Sequence, residues 1–274
     1  FLQELRQGTC LSMVRVSHWY GRLGNNIQQC AVAVMAAQFL KSTFTMDLDH
    51  EIITPHQTSF GPGTEQLSSK WFYWEGPYKE TNIPVDYIYA KMREVCKTYI
   101  SPNLSLPKVD PIGDDTIVIH IRSGDVFDQG TTNPVQYAPN PLYFYNKLIE
   151  LFDKALVVTE PDSHNPIIEE LRKNPKVTVQ SKSVAEDFAT LMAAKHLANS
   201  GVGTFGVAAA LCSSNIERFY CTDVRLTEHL NYRMLENTDV SISLMTLGED
   251  YIKPGEWNNS DEQRKYILTY DPTA

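Results

Sequence analysis

A chain of 274 residues with 42% hydrophobic and 21% charged residues has enough apolar material for a packed core and lies outside the composition of disordered chains. Its 33 acidic residues outnumber 24 basic ones, and the net charge of -9 argues against nucleic acid or an anionic membrane as the main partner. Any phosphate must then be bound locally, in a chain long enough for two ordinary domains or one large α/β domain.

In chain order, Met13 to Ser17 predicts a strand and Ile27 to Leu40 an apolar helix buried on most sides. The join, His18-Trp-Tyr-Gly-Arg-Leu-Gly-Asn25, is a glycine-bearing strand-to-helix turn. Arg22, Gly24 and Asn25 there could face an anion together with the helix dipole; the plainer account is a tight turn that needs Gly21 and Gly24 for its dihedrals. Ser42 to Asp47 completes a β-α-β unit. From there to Pro111 the pattern loosens around Trp71-Phe-Tyr-Trp-Glu-Gly-Pro-Tyr78, where Trp71 and Trp74 suit the apolar face of a sugar, or simply a core. Tyr87 to Tyr99 predicts a helix, and the Pro-rich stretch Ser101 to Gly113 a linker.

The second half is regular. In Thr116 to Asp125 the alternation puts Ile117, Ile119 and Ile121 on one face and Val118, His120 and Arg122 on the other, so a strand delivers an imidazole and a guanidinium to its carboxyl end. Helices are predicted at 141–152, 166–173, 184–196 and 204–212, alternating with strands at 155–159, 176–180, 197–200 and 216–220, which indicates a parallel sheet. A capping box, Ser183-Val-Ala-Glu186, marks one helix start. Past Asp223 there is one helical candidate near Glu228 to Leu235, and the tail from Tyr251 is polar and predicted to be peripheral.

Asn199-Ser-Gly-Val-Gly-Thr-Phe-Gly206 matches G-x-G-x-x-G between a short strand and a helix, which taken alone suggests a dinucleotide site on an NAD-type oxidoreductase. It follows several strands instead of opening the first β-α-β unit, so the more general inference is that Gly203, Thr204 and Phe205 offer backbone amides to a phosphate at a helix start. The histidines have no H-E-x-x-H spacing, Asp47-Leu-Asp49 stands alone at a strand end, and no nucleophile elbow or Walker lysine motif is present. Five scattered cysteines form no C-x-x-C pair, and Cys30 and Cys212 fall in apolar helical patterns as buried hydrophobes, although one disulfide remains open. No run approaches the ~18 apolar residues of a membrane span, and no secretory leader is visible. Asn103-Leu-Ser105 and Asn258-Asn-Ser260 fit the short N-glycosylation pattern.

Three segments stand in order: Gly21-Arg-Leu-Gly-Asn25, His120-Ile-Arg-Ser-Gly-Asp125, and Glu186-Asp-Phe-Ala-Thr-Leu-Met192 running to Gly203-Thr-Phe205. Together they resemble the fucosyltransferase superfamily with the H-x-R-x-G-D motif, which takes in the α1,2-, α1,6- and protein O-fucosyltransferases. Val157-Val-Thr-Glu160 is similar to that family's strand ending in T-D. The resemblance implies a GT-B-like α/β architecture of two Rossmann-like domains with parallel sheets facing across a cleft. Here they would be residues 1–112, on the acceptor side, and 113–274, on the nucleotide-sugar side, with the tail free to pack back on the first.

It also implies inverting, metal-independent transfer from GDP-fucose to a glycan hydroxyl. Arg122 would hold the donor diphosphate, His120 and Asp187 would lie near base or ribose, Thr204 and Phe205 would cap the phosphate beside Gly203, and Arg22, Gly24 and Asn25 would close the cleft. Asp125 and Asp128 are candidate bases for the acceptor. The sequence departs from the family pattern at Asn26 for Gln, Ser123 for a second Arg, and Gly203 for Ser. Another nucleotide sugar on the same scaffold, such as UDP-xylose or an activated rhamnose, therefore stays open, as does an inactive glycan-binding module. Since residue 1 is Phe, a longer parent protein is expected, in the Golgi lumen if it enters the secretory pathway and otherwise in the cytoplasm.

Overall fold

The computed structural model describes residues 13–63, 66–69, 83–128, 137–162, 164–224 and 230–273, so Trp71 and Trp74 lie outside the described residues. The first sheet contains β1 (Met13–Val16), β2 (Thr43–Met46), β3 (His56–Ser59) and β4 (Leu67–Ser69). Its order is β3-β2-β1-β4, with β1 parallel to β2 and β4 and only β3 antiparallel. The second sheet contains β5 (Ile112–Ile121), β6 (Lys154–Thr159), β7 (Val177–Gln180), β8 (Ala194–Ala198), β9 (Arg218–Thr222) and β10 (Ser241–Met245). All its pairings are parallel, in the order β10-β9-β8-β5-β6-β7. This is the α/β class the sequence predicts. The order reverses between β5 and β8, and in open parallel sheets that switch point is where the carboxyl ends of the strands leave a crevice for a ligand.

Helix α1 (Leu23–Phe39) is buried from Leu23 to Ala37 except at the half-buried Asn25, because it is covered on every side. It packs on the first sheet, on α2 (Val85–Val95) and on α6 (Phe205–Cys212). Alanines at 31, 33, 36 and 37 of α1 and 208 to 210 of α6 let the two helices approach closely, and one apolar core runs through both. Its members include Val14 of the first sheet and Val118, Leu197 and Phe219 of the second. The guanidinium of buried Arg93 on α2 donates to Ala210 O at 2.5 Å and to Asp239 Oδ1 at 2.5 Å, tying α2 to the carbonyl end of α6, where a cation is favoured.

The opposite face of the second sheet has its own core, built on Ile117, Ile119 and Ile121, so β5 divides its alternate residues between two cores as its sequence alternation predicts. Helices α3 (Leu142–Glu150) and α4 (Pro166–Arg172) cover that face. So does the tail, which is not peripheral: Tyr251, Trp257, Ile267 and Tyr270 are buried in this core. Helix α7 (Asp261–Thr269) packs on α3 and α4, Tyr251 Oη donates to Pro139 O at 2.5 Å, and Trp257 Nε1 donates to Val126 O at 3.0 Å. A few large rings carry the burial, which is why a polar composition concealed it.

Other boundaries move for local reasons. Helix α1 starts at Leu23 instead of Ile27, so Gly24 and Asn25 belong to its first turn. Helix α5 (Val184–Ala193), opened by the predicted capping box, ends early because residues 194–198 are drawn into the sheet as β8. Near Glu228 to Leu235 the described part is a 3-10 turn, Tyr232–Leu235. The described cysteines, Cys30, Cys96, Cys212 and Cys221, are buried free thiols, and no described helix is long and apolar enough to cross a membrane.

The two helix starts meet tightly at Gly24. A Cβ there would lie 2.4 Å from Thr204 Oγ1, 2.8 Å from Thr204 C and 2.9 Å from Phe205 N. Backbone of α6 would have to move, so Gly24→Ala is expected to cost about 1–3 kcal/mol, measured as a lower midpoint in urea unfolding at an unchanged slope.

Candidate active site

The carboxyl ends of β5 and β6, beside the switch point, and the turn after β1 bring the charged residues together. His120, near the end of β5, is 5% exposed, with its ring 5.3 Å from that of Phe205 and its Nδ1 without a hydrogen-bond partner. Burial, reinforced by the Arg122 charge, pushes its pKa down to about 3, so the ring is neutral at ordinary pH. Gly206 makes room for it: a Cβ there would lie 3.3 Å from His120 Nδ1 and 2.8 Å from Asn199 Oδ1, so the third glycine of the G-x-G-x-x-G run serves close packing.

Arg122 follows directly after β5, and its side chain is only 16% exposed. Nη1 reaches Glu160 Oε1 at 2.6 Å, and Nη2 donates to Asp125 Oδ1. Arg22 comes to the same carboxylates from the other sheet's connection, at 3.2 Å to Glu160 Oε1 and 3.6 Å to Asp125 Oδ1. Two guanidiniums and two carboxylates thus form one cluster. The acids differ in freedom. Glu160 is 23% exposed, and its Oε2 accepts from Ser123 N at 2.6 Å, whereas Asp125 is 46% exposed. Tyr137 adjoins the cluster; burial pushes its phenol pKa up, while Arg122 and Arg22 pull the other way.

Two helix N-termini converge beside these charges. Arg22 is the N-cap residue of α1 and Thr204 that of α6, and neither side chain caps its own helix. Thr204 Oγ1 instead donates to Asn25 Oδ1 at 2.7 Å, joining the two helix starts. Next to it Gly203 (φ +80°) meets nothing within 4 Å of where a Cβ would lie. It lines, with Asn199, Gly201, Thr222, Asn231 and Tyr232, a small solvent-open depression.

Two of the three positions that depart from the family pattern, Ser123 and Asn26, are structural. Ser123 is fully buried: its Oγ donates to Asp162 Oδ1 at 2.5 Å and accepts from Asn165 N at 3.0 Å, while Asn165 Nδ2 donates to Arg122 O at 3.0 Å. These bonds fasten the loop after β5 to the loop after β6. Asn26 is buried, donating to Tyr20 O at 3.2 Å and pairing through Oδ1 with His50 Nε2 at 3.2 Å. Asp187 is also buried, with Oδ1 accepting from Gln180 Nε2 at 2.8 Å and Oδ2 from Lys182 N at 3.0 Å; its neighbour Phe188 lies against Phe205 at 5.2 Å.

Of the two candidate bases, Asp125 has its Oδ1 turned to the guanidiniums, and Asp128 pairs with His164 Nδ1 at 2.5 Å. Glu160, Asp162, His164 and Tyr137 were not among the sequence-derived site residues. Glu160 alone had a signal, as the acidic end of a predicted strand. Asp47 of the isolated acidic pair accepts from Arg15 Nε at 2.9 Å, and Asp223, the acid following the glycine run, accepts from Leu247 N at 3.1 Å.

No family model matches the sequence, and no curated protein matches it. Among solved structures, the chain is similar to POFUT1 in complex with GDP-fucose, with 11% identity and a TM-score of 0.43 over 78% of this chain and 98% of that one. POFUT1 in complex with GDP gives 11% identity and a TM-score of 0.39 over 77% and 98%. NodZ alpha-1,6-fucosyltransferase soaked with GDP-fucose gives 14% identity and a TM-score of 0.39 over 74% and 92%. At these identities the likeness concerns the fold, an α/β arrangement with parallel sheets.

Proposed function

We propose that the chain is an inverting glycosyltransferase that binds the diphosphate of a nucleotide sugar between Arg22, Arg122 and the starts of α1 and α6, and transfers the sugar to a glycan hydroxyl. The observation that carries this is the convergence of two guanidiniums with two helix N-termini at the switch point of a parallel sheet. GDP-fucose is the preferred donor because the motif resemblance favours it; UDP-xylose or an activated rhamnose would use the same cations.

Asp125 and Glu160 balance the guanidiniums. A diphosphate brings more charge and more acceptor oxygens than Asp125, which is half-exposed and can swing away, whereas Glu160 stays bound to Ser123 N and keeps Arg122 aimed. As the glycosidic bond breaks, charge grows on the departing phosphate oxygen, and a preformed guanidinium pair stabilises it without a divalent ion. Neutral His120 packs behind Arg122 and adds no charge there.

Arg122→Gln should lower kcat about 10²–10³-fold, the scale of losing one charge-stabilising donor, with circular dichroism unchanged. Arg122→Lys should fall between, since it keeps the charge and loses the fork. Near-normal transfer by Arg122→Gln would refute the assignment. GDP at 100 times its Kd should stabilise the protein by about 2.7 kcal/mol in thermal unfolding, and NADH should not; stabilisation by NADH alone would decide for the oxidoreductase. Transfer should persist in excess EDTA.

A further inference from the structure

The proposed transfer leaves the acceptor's proton without a destination, since the Oδ1 of Asp125 is taken by guanidiniums and His120 is buried. A second imidazole lies next door. A Cβ on Gly124 would sit 3.5 Å from Glu160 Oε1 and 3.5 Å from Asp162 Oδ2, so the carboxylate serving the arginine pair and the one serving His164 flank the same residue. His164 Nδ1 is 2.5 Å from Asp128 Oδ1 and 3.8 Å from Asp162 Oδ1, and the side chain is 50% exposed.

The charged groups facing this imidazole are Asp128 from the loop after β5, Asp162 from its own loop and Arg264 from α7. Arg264 fixes the backbone. Its Nη1 donates to His164 O at 3.2 Å, Nε donates to Asn259 Oδ1 at 2.9 Å, and Nη2 donates to Phe127 O. Asn259 Nδ2 in turn donates to Asp128 O at 3.1 Å. Both halves of the pair are therefore anchored through their main chains. An Nδ1–H donated to Asp128 leaves Nε2 as the proton acceptor, the orientation a carboxylate gives a catalytic histidine. Burial works against ionisation of Asp162, but hydrogen bonds from Ser123 Oγ and the His164 and Gly124 amides hold its pKa below the usual carboxylate range, leaving a second negative charge to stabilise the imidazolium.

We propose that His164, oriented by Asp128, is the general base of the transfer, an inference that rests on the transferase reading above. Its Nε2 takes the proton of the acceptor hydroxyl as the oxygen forms its bond to the sugar's anomeric carbon. The bond from that carbon to the diphosphate breaks, and its electron pair leaves on the phosphate oxygen facing Arg122 and Arg22. The imidazolium then loses its proton to water. Asp128 is a positioning residue.

The test uses the full chain with His164→Gln, His164→Ala and Asp128→Asn. The main-chain bonds of residue 164 to Asp162 and Arg264 do not depend on its side chain. His164→Gln should bind GDP with the wild-type Kd by calorimetry, lose 10²–10⁴-fold in kcat and lose the acidic limb of the pH–rate profile. Imidazole should partly restore His164→Ala, and Asp128→Asn should lose about tenfold or more in kcat with GDP binding intact. Wild-type kcat and pH profile in His164→Gln would overturn the proposal while leaving the donor site standing. Lost GDP affinity with no rescue by imidazole would mark a structural role and overturn it too. A wild-type chain that neither binds GDP nor transfers would remove the transferase reading itself.

Discussion

The structure turns on the meeting of two like poles. The N-terminus of α1 is pressed against that of α6, so closely that only a glycine fits at position 24. Each helix start carries partial positive charge, and neither has a side-chain cap to blunt it. Such an approach is unfavourable by itself. It is held by apolar burial along the rest of both helices and by the Thr204–Asn25 hydrogen bond. Two guanidiniums add to the same positive region in a chain whose net charge is -9. Asp125 and Glu160 make this tolerable, as counter-anions supplied by the chain itself.

The unequal mounting of those two acids matters more than their number. Glu160 is pinned by the Ser123 amide, and Ser123 in turn is fastened through Asp162 and Asn165 to the loop after β6. A second arginine at position 123 would add charge, but it could not be buried in the serine's place without breaking this set of bonds. The chain therefore has fewer cations in the motif and a stiffer support for the one it keeps. Arg22, arriving from the α1 side, provides the second guanidinium.

How much of this the sequence could show follows from the range of each interaction. The β5 alternation, the capping box at Ser183 and the apolar helix α1 are local patterns, and the structure reproduces them. The start of α1 has no sequence marker because Arg22, at its N-cap, is no capping residue, and β10 rests on the short alternation Ser-Ile-Ser-Leu-Met. The tail's burial depends on Tyr251, Trp257 and Tyr270 meeting a sheet formed far earlier in the chain. Arg122 and Arg22 could be singled out from their turns as the cations that meet at one place. That they share Glu160 and Asp125 could not be read, because Arg22 meets Glu160 across 138 residues and no periodicity records such a contact.

The two histidines near the site show how environment divides one residue type into different tasks. His120 sits at the end of a core strand with Arg122 two residues on; burial and that charge hold its proton off until about pH 3. Its contribution near neutrality is therefore shape and an unpaired nitrogen beside Gly206, and no proton exchange at ordinary pH can be ascribed to it. His164 is half-exposed, with Asp128 and Asp162 beside its Nδ1, so the ring is open to a hydroxyl from solvent. On the transferase reading proposed above, leaving-group stabilisation falls to the buried end of β5 and proton transfer to the open loop that follows β6.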